Sequence, residues 1–406
     1  MALMYILLFI SIITYPLPTV RIGGQPLAIF LALYALVYFL YKGFAKRVDL
    51  KTLWPLWALL LGFLISSMAS GTFNLNYLVN VVAFYAIYFV LANISGNSYK
   101  IVNVKADSTF SYRVMLNVLI LTGVILGLYG YYGYITGKVG TDTQYFWWES
   151  ARYWGIHYTG STRNADIHYI VFPFIAVLAK RNKKVMDIGL ILFFGSAVIL
   201  SMARNTWLCI LIVLVIFLLM QKDTKKKMRL IFIVIGMLCI GYLMLQYFGM
   251  LDYFVAKLVS IFSMQGTDTV SNSNSERWSI IVATLEIIFA NPLGVGAECL
   301  SAFYHKRGFF LNHAENTYLN ITAEMGIIAA IGYVSLVFTP IRKMKMASRE
   351  KQLNEGENFV LLSSIYFAST ILFNTETINC YMWIILGIIW FVMTISSNEK
   401  EEVTWQ

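Results

Sequence analysis

"FLNHAENTYLNITAEMG" (Phe310–Gly326) begins with polar side chains and ends in an apolar run that continues to Val334. At 100° per residue in a helix, four of its polar residues fall on one face: His313, Asn316, Asn320 and Glu324. Such groups are too costly to face lipid, so we expect the stripe to face protein or a water-filled cavity. The stretch therefore predicts a membrane helix with a polar site at its start.

The composition of the whole chain indicates a membrane protein. Of 406 residues, 59% are hydrophobic and 13% are charged, whereas a soluble domain carries about 25% charged residues. The aromatic content of 16% fits Trp and Tyr gathered at membrane interfaces. The net charge of +10 comes from short basic clusters between apolar runs, so we attribute it to membrane orientation and predict no nucleic-acid partner. The four cysteines show no paired spacing, which argues against a disulfide framework and a zinc site.

Twelve apolar runs approach the ~20 residues that a membrane helix needs. They are centred near residues 10, 33, 61, 85, 124, 173, 193, 212, 239, 327, 366 and 387. With both termini in the cytoplasm, 22 of the 31 Lys and Arg residues fall in inner loops or the inner tail, as the positive-inside rule expects. The predicted fold is an all-α polytopic membrane protein with about 12 transmembrane helices, N-in and C-in.

This topology divides the chain into four parts. Residues 1–249 form helices 1–9 with an outer loop at 136–164, residues 250–313 form a large outer loop, residues 314–396 form helices 10–12, and residues 397–406 form a cytoplasmic tail. A loop of ~60 residues is uncommon unless it is functional or structured. Apolar residues at helical spacing after Asn274 and Ser275 predict an amphipathic helix at 276–290, which "NPLGVG" (Asn291–Gly296) ends.

Basic residues on the outer side oppose the orientation bias and are candidates for anion binding. Arg204 stands in "ILSMARNTWL" at the end of a span, where snorkelling or helix capping is the structural alternative. Arg277 is predicted in the first turn of the loop helix, where it opposes the helix dipole. The structural alternatives are pairing with Glu276 or exposure to water. The functional one is that it joins the exposed N–H groups in holding an anion such as a phosphate. Arg163 opens a span after the first outer loop and is a third candidate.

His313 is predicted at the outer rim, where imidazole is the ordinary general base near neutral pH. For Asn320 and Glu324, deeper in the membrane, we favour hydrogen bonding between helices without a chemical role. The sequence contains no DxD, HExxH, P-loop or GxGxxG motif, so we predict neither a metal site nor a cofactor.

Three segments in order resemble the O-antigen ligase and polymerase family of bacterial membrane glycosyltransferases: "SMARNTWL", "SERWSIIVATLEIIFANPLGVG" and "HAENTYLNITAEMGIIAAIGYV", within about Ser201–Val334. The resemblance implies a metal-independent enzyme on the outer face of the bacterial cytoplasmic (inner) membrane. Its donor would be a glycan on undecaprenyl diphosphate and its acceptor a sugar hydroxyl. The resemblance also implies that Arg204 and Arg277 bind the diphosphate and that His313 is the general base. Arg163, Asn316 and Glu276 are the predicted substrate-binding residues, although the family's Asn often follows its His directly.

We favour a polymerase that joins lipid-linked repeat units into O-antigen, capsule or exopolysaccharide. One alternative is an O-antigen ligase that transfers the glycan to lipid A-core. A second, from another class, is a lipid-linked oligosaccharide flippase or secondary transporter, which would place ionisable residues at the midplane of several helices. A third is a non-catalytic subunit of an envelope assembly complex. The expected partners are the lipid-linked donor, the glycan acceptor, membrane lipid and a chain-length regulator protein.

Overall fold

A computed structural model describes residues 9–10, 21–22, 25–26, 30, 54–73, 108–136, 167–262, 269–309, 313–314, 316–373 and 380–403. Two short strands, β1 (Arg21–Ile22) and β2 (Gln25–Pro26), pair antiparallel. Twelve helices lie in these ranges: α1 (Trp54–Ser70), α2 (Ser108–Thr136), α3 (His168–Ala179), α4 (Val185–Leu200), α5 (Arg204–Met220), α6 (Thr224–Tyr247), α7 (Leu251–Phe262), α8 (Thr269–Ala290), α9 (Leu300–Lys306), α10 (Thr317–Glu350), α11 (Glu355–Thr370) and α12 (Cys380–Val403).

Three of the described helices are long and apolar enough to cross a membrane: Tyr112–Thr136, Thr224–Tyr247 and Thr317–Glu350. Five shorter apolar helices accompany them: Trp54–Ser70, His168–Ala179, Val185–Leu200, Arg204–Met220 and Tyr381–Met393. With α11, which coincides with the segment centred near 366, nine of the twelve predicted apolar segments coincide with helices. The segments centred near 10, 33 and 85 lie outside the described residues, apart from helical residues 9–10 and 30. The helical fold is confirmed, whereas the number of spans and their orientation stay predictions.

Helix α10 packs against α1, α8 and α11, and α11 in turn packs against α3, α5 and α12. Every residue of α3 is buried, and so are residues 381–393 of α12. Helix α6 packs against α4 and leaves large apolar side chains exposed, among them Phe232, Leu238 and Leu243. Exposed apolar side chains on a helix of spanning length fit contact with lipid, so we place α6 at the edge of the bundle.

The segment predicted as a large outer loop contains more helix than the sequence indicated. Within the described residues it holds α7, α8 and α9. Helix α8 begins at Thr269, whereas the sequence predicted a start at 276 after the loop "SNSNS" (Ser271–Ser275). Ser and Asn cost a helix only about 0.5 kcal/mol each relative to Ala, so a continuing helix can include them. The division of the chain into four parts stays a prediction.

Helix α10 is broken at Gly326, whose backbone (φ 82°, ψ 175°) is not helical. The loop "NPLGVG" (Asn291–Gly296) fills the break. Three backbone hydrogen bonds join them: Val295 N–H to the Ala323 carbonyl at 2.9 Å, Gly296 N–H to the Glu324 carbonyl at 3.0 Å, and Ile327 N–H to the Pro292 carbonyl at 3.1 Å. The loop therefore supplies the partners that the interrupted helix lacks.

Ser66 of α1 links the loop to the break. Its hydroxyl donates to the Glu324 carbonyl and accepts the Gly296 N–H at 3.0 Å. The approach is so close that a Cβ on Gly294 would lie 2.5 Å from the Glu324 carbonyl oxygen. Glycine is therefore required in the loop by packing as well as by its positive φ.

We expect Gly326→Ala to destabilise the protein more than Gly308→Ala. Both glycines have φ +82°, but an added Cβ at Gly326 would lie 2.6 Å from the Leu293 carbonyl, whereas at Gly308 it meets nothing within 4 Å. The positive φ costs about 1–2 kcal/mol in either variant, and overpacking adds about 1–3 kcal/mol at Gly326 alone. Thermal unfolding of the two purified variants in detergent measures the difference in stability. Equal unfolding midpoints would contradict the close packing of the "NPLGVG" loop against Gly326.

Candidate functional site

Arg204 is the first residue of α5 and is half-buried. The turn before it is sharp, since Met202 has φ +54°. Two side chains hold this turn: Ser201 Oγ accepts the Ala203 N–H at 3.3 Å, and Trp207 Nε1 donates to the Val198 carbonyl at 2.8 Å. The N-cap Ala203 offers no side-chain acceptor to the first turn of α5. The partial positive charge of this helix start therefore adds to that of the guanidinium.

The turn after α11, residues 371–373, brings the starts of α5 and α10 together. Its three successive carbonyls accept hydrogen bonds from both: Ile371 from Thr317 N–H at 2.9 Å, Leu372 from Asn316 Nδ2 at 3.0 Å, and Phe373 from Asn205 Nδ2 at 3.2 Å. Asn205 follows Arg204, and Asn316 lies three residues after His313. Two of the predicted site residues are therefore attached to the same turn through their neighbours.

Asn316 is the N-cap of α10, and its Oδ1 accepts the Leu319 N–H at 3.0 Å. The helix thus begins at Thr317, and His313 stands before it, exposed. The predicted stripe of four residues on one helix face is wrong for His313 and Asn316, because stepping by 100° applies only after the helix has begun. Asn320 and Glu324 do lie on α10, and both are buried.

Asn320 and Glu324 join the His313 segment to the helix. Asn320 Oδ1 accepts the Ala314 N–H at 3.3 Å, and its Nδ2 donates to Glu324 Oε2 at 3.1 Å. The Glu324 carboxylate also accepts the backbone N–H of Glu298, two residues after the loop that fills the α10 break. These contacts place Ala314, α10 and the loop in one buried network, in which neither side chain is exposed to a substrate.

Arg277 lies in α8, half-buried and two turns after the start of the helix at Thr269. It is therefore not in the first turn, and the first-turn N–H groups do not lie beside it. One turn further on, Ile280 is buried in what we call the loop cluster: Ile280, Ala283, Ile287, Ile288, Val295, Leu300, Tyr304, Ala314 and Ala323. Because Ala314 follows His313, this cluster packs α8 beside the His313 segment.

The structure gives less information about the other two predicted site residues, Glu276 and Arg163. Glu276 lies in α8 directly before Arg277. Arg163 lies outside the described residues.

Tyr304 of α9 is a further ionisable group in the loop cluster. Its hydroxyl bonds to Thr284 Oγ1. Burial raises the pKa of Tyr304 to about 12, so its phenol stays protonated at neutral pH. Tyr304 and Glu324 are buried, whereas His313 is exposed. Imidazole is the ordinary general base among side chains, so His313 is the candidate for that role.

The sequence did not reveal the 371–373 turn or Asn205 as parts of the site. The turn acts through backbone carbonyls, which every residue carries, so no side-chain pattern marks it. Asn205 was visible only as part of the segment after Arg204.

Residues 189–334 match the family model described as O-antigen ligase. The match runs from α4 to α10 and includes Arg204, Arg277 and His313. It confirms the resemblance to the O-antigen ligase and polymerase family over these residues. No curated protein sequence matches the chain. The match and the apolar helices support a multi-pass membrane protein with a function of the O-antigen ligase or polymerase type in polysaccharide biosynthesis.

We expect Asn316→Ala to be less stable than Asn316→Ser. Serine retains an N-cap acceptor for Leu319, whereas alanine loses the cap at a cost of about 1 kcal/mol. Both variants lose the bond to Leu372. Unfolding midpoints give the order, and glycan transfer by folded Asn316→Ser should stay near that of the wild type. A folded Asn316→Ser protein without transfer would instead make the amide a contact of the substrate.

Proposed function

We propose that this chain, whose residues 189–334 match the O-antigen ligase family, is a polymerase of lipid-linked glycans. It would extend repeat units carried on undecaprenyl diphosphate into O-antigen, capsule or exopolysaccharide. One observation carries the proposal: the starts of α5 and α10, with Arg204 and His313 beside them, are attached to the 371–373 turn. This arrangement supports a site that combines an anion-binding cation with a base.

In the proposed reaction, the acceptor hydroxyl attacks the anomeric carbon of the donor. A new C–O bond forms as the bond between that carbon and the diphosphate oxygen breaks, and the diphosphate leaves with the electron pair. Negative charge then grows on the diphosphate, where a fixed guanidinium and a helix start stabilise it. Arg204 lies at the start of α5. Arg277 is proposed to join it from α8, which packs beside the His313 segment.

His313 takes the proton of the attacking hydroxyl. The side chain is exposed, so an acceptor sugar can reach it, and a general base has to come within hydrogen-bond distance of the proton that it removes. Its neighbour Ala314 is fixed by Asn320 and by the loop cluster. This supports a base on a held segment rather than on a free loop. Glu276 and Arg163 remain proposed substrate contacts, whereas Asn316 is proposed to position the segment through its bonds to Leu319 and Leu372.

The proposal sets the site on the outer face of the bacterial cytoplasmic membrane, with both termini inside. The basic loops at the end of the bundle that lies away from His313 support this orientation. A chain-length regulator protein would act with the polymerase. A ligase that transfers the glycan to lipid A-core is the second candidate, because the matched family is described as O-antigen ligase.

We expect His313→Ala to lower glycan transfer by roughly 10²–10⁴-fold, since it removes the general base. Arg204→Gln should lower transfer by roughly 10²–10³-fold through the lost charge. The matched control is His305→Ala, which removes an exposed histidine of α9. Each full-length variant is purified and incubated with undecaprenyl-diphosphate-linked repeat units. Full transfer by a folded His313→Ala protein would remove His313 as the base.

The products distinguish the two candidate functions. We expect wild-type protein given only lipid-linked repeat units to produce a ladder of longer glycans, resolved by size. A single transfer, seen only when lipid A-core is added, would identify a ligase. Movement of the lipid-linked glycan across liposome membranes without any transfer would contradict both and favour a flippase.

A further inference from the structure

A cavity of about 510 Å³ lies at the end of the bundle away from His313. It is bounded by three links, which join α3 to α4, α5 to α6 and α10 to α11. Helix α5 starts beside the 371–373 turn and ends at Met220, which lines this cavity. At 1.5 Å per residue the two ends of α5 are about 25 Å apart. The cavity is therefore separate from the proposed catalytic site.

The lining of this cavity is strongly cationic. Seven of its nineteen lining residues are Lys or Arg, and none is Asp or Glu. Two of the seven have carboxylate partners outside the lining: Lys180 with Asp187 and Lys351 with Glu357, both at 2.7 Å. The other five are Arg181, Lys183, Lys222, Lys226 and Arg229. This excess of positive charge favours the binding of an anion in the cavity.

Lys183 lies close to Arg229 within this cationic lining. Its Nζ donates to the Lys180 carbonyl at 2.8 Å, and Arg229 Nη2 donates to the Lys183 carbonyl at 3.2 Å. Burial, followed by the charge of Arg229, lowers the pKa of Lys183 to about 8, although Asp187 and Glu355 favour its charged form. A bound anion would favour the charged ammonium and offset the repulsion from Arg229.

An apolar groove leads away from the cavity along the bundle. It lies between α4 and α6 and shares Arg229 and Ile233 with the cavity. Ile188 and Leu192 line its α4 side, and Met228, Phe232 and Gly236 line its α6 side. From Thr224 to Gly236 the groove follows about 18 Å of helix, which is roughly one leaflet of a ~30 Å hydrocarbon core.

Membrane orientation alone accounts for basic loops at this end of the bundle. It does not require that they converge from three links on one cavity, nor that an apolar groove begin at the same arginine. A phosphate with an acyl chain attached needs both features together. Basic pockets between membrane helices bind the headgroups of anionic lipids in this way.

We propose that the cavity and groove together bind an anionic phospholipid, with its phosphate among Lys183, Lys226 and Arg229 and an acyl chain along α4 and α6. This site goes beyond the proposed glycan transfer and uses none of its residues. The phosphate is recognised by charge and the chain by apolar contact, so the two parts can be altered separately.

The experiment titrates full-length protein in detergent with phosphatidylglycerol and counts retained lipid by native mass spectrometry. Lys183→Gln with Lys226→Gln should weaken binding about tenfold, equivalent to about 1.4 kcal/mol. The matched control is Lys343→Gln with Lys345→Gln, which removes two exposed lysines of α10 outside the cavity lining. It should bind as the wild type does. Equal weakening in the control pair would reveal general attraction to a basic surface and overturn the site.

A second variant tests the groove. Gly236→Phe fills the groove and removes no charge. The groove has room for the new side chain, because a Cβ at Gly236 meets only Leu192, at 3.7 Å. We expect this variant to bind phosphatidylglycerol more weakly than the wild type does. Inorganic phosphate should not displace the lipid from wild-type protein. Unchanged binding in this variant together with displacement by inorganic phosphate would overturn the lipid in favour of a free-phosphate site. If the double lysine variant does not fold, Lys226→Gln alone, at an exposed lysine of the cavity, should still weaken binding relative to the wild type.

Discussion

The hydrogen bonds between the "NPLGVG" loop and the α10 break are the interaction on which the rest of this structure depends. Backbone groups at membrane depth have no water to bond with, so a break in a spanning helix needs partners from the protein. The loop gives two N–H donors to the carbonyls before Gly326 and accepts the first N–H after it. Ser66 of α1 bonds to the same place from the other side. Three parts of the chain that are far apart in sequence are thereby fixed against one another.

This constraint extends to the proposed site. The loop that fills the break joins α8 to α9, and both pack into the loop cluster with Ala314. The Glu324 carboxylate then bonds to Glu298, just after the loop, and to Asn320, which holds Ala314. From the other side, the 371–373 turn holds Asn316 and Asn205. These backbone and amide contacts hold the segments that carry His313 and Arg204.

The sequence predicted the helices well, because a run of apolar residues long enough to span a membrane is a direct physical signal. It predicted Arg204 at the end of a span, where α5 does begin. It missed the break, since Gly326 is one of many glycines in apolar runs and its φ depends on a loop thirty residues away. It also extended the helix back to His313, because a polar residue before a helix and one inside it look alike until the cap is known. The helix start at Thr269 was missed because Ser and Asn are frequent in turns, although they cost a helix only about 0.5 kcal/mol each.

The stretch from His313 to Gly326 separates chemistry from architecture along its length. His313 is exposed before the helix and is the proposed base. Asn316, half-buried, uses both ends of its amide on the cap and on Leu372. Asn320 and Glu324 are buried and bonded to each other, so a substrate in the exposed site has no path to them without unpacking the loop cluster. Glu324 instead acts by position, because it bonds to the Asn320 amide, which bonds to Ala314 next to the proposed base His313. Burial also strengthens the hold of these hydrogen bonds, because breaking one would leave a polar group unpaired in the protein interior at a cost in free energy.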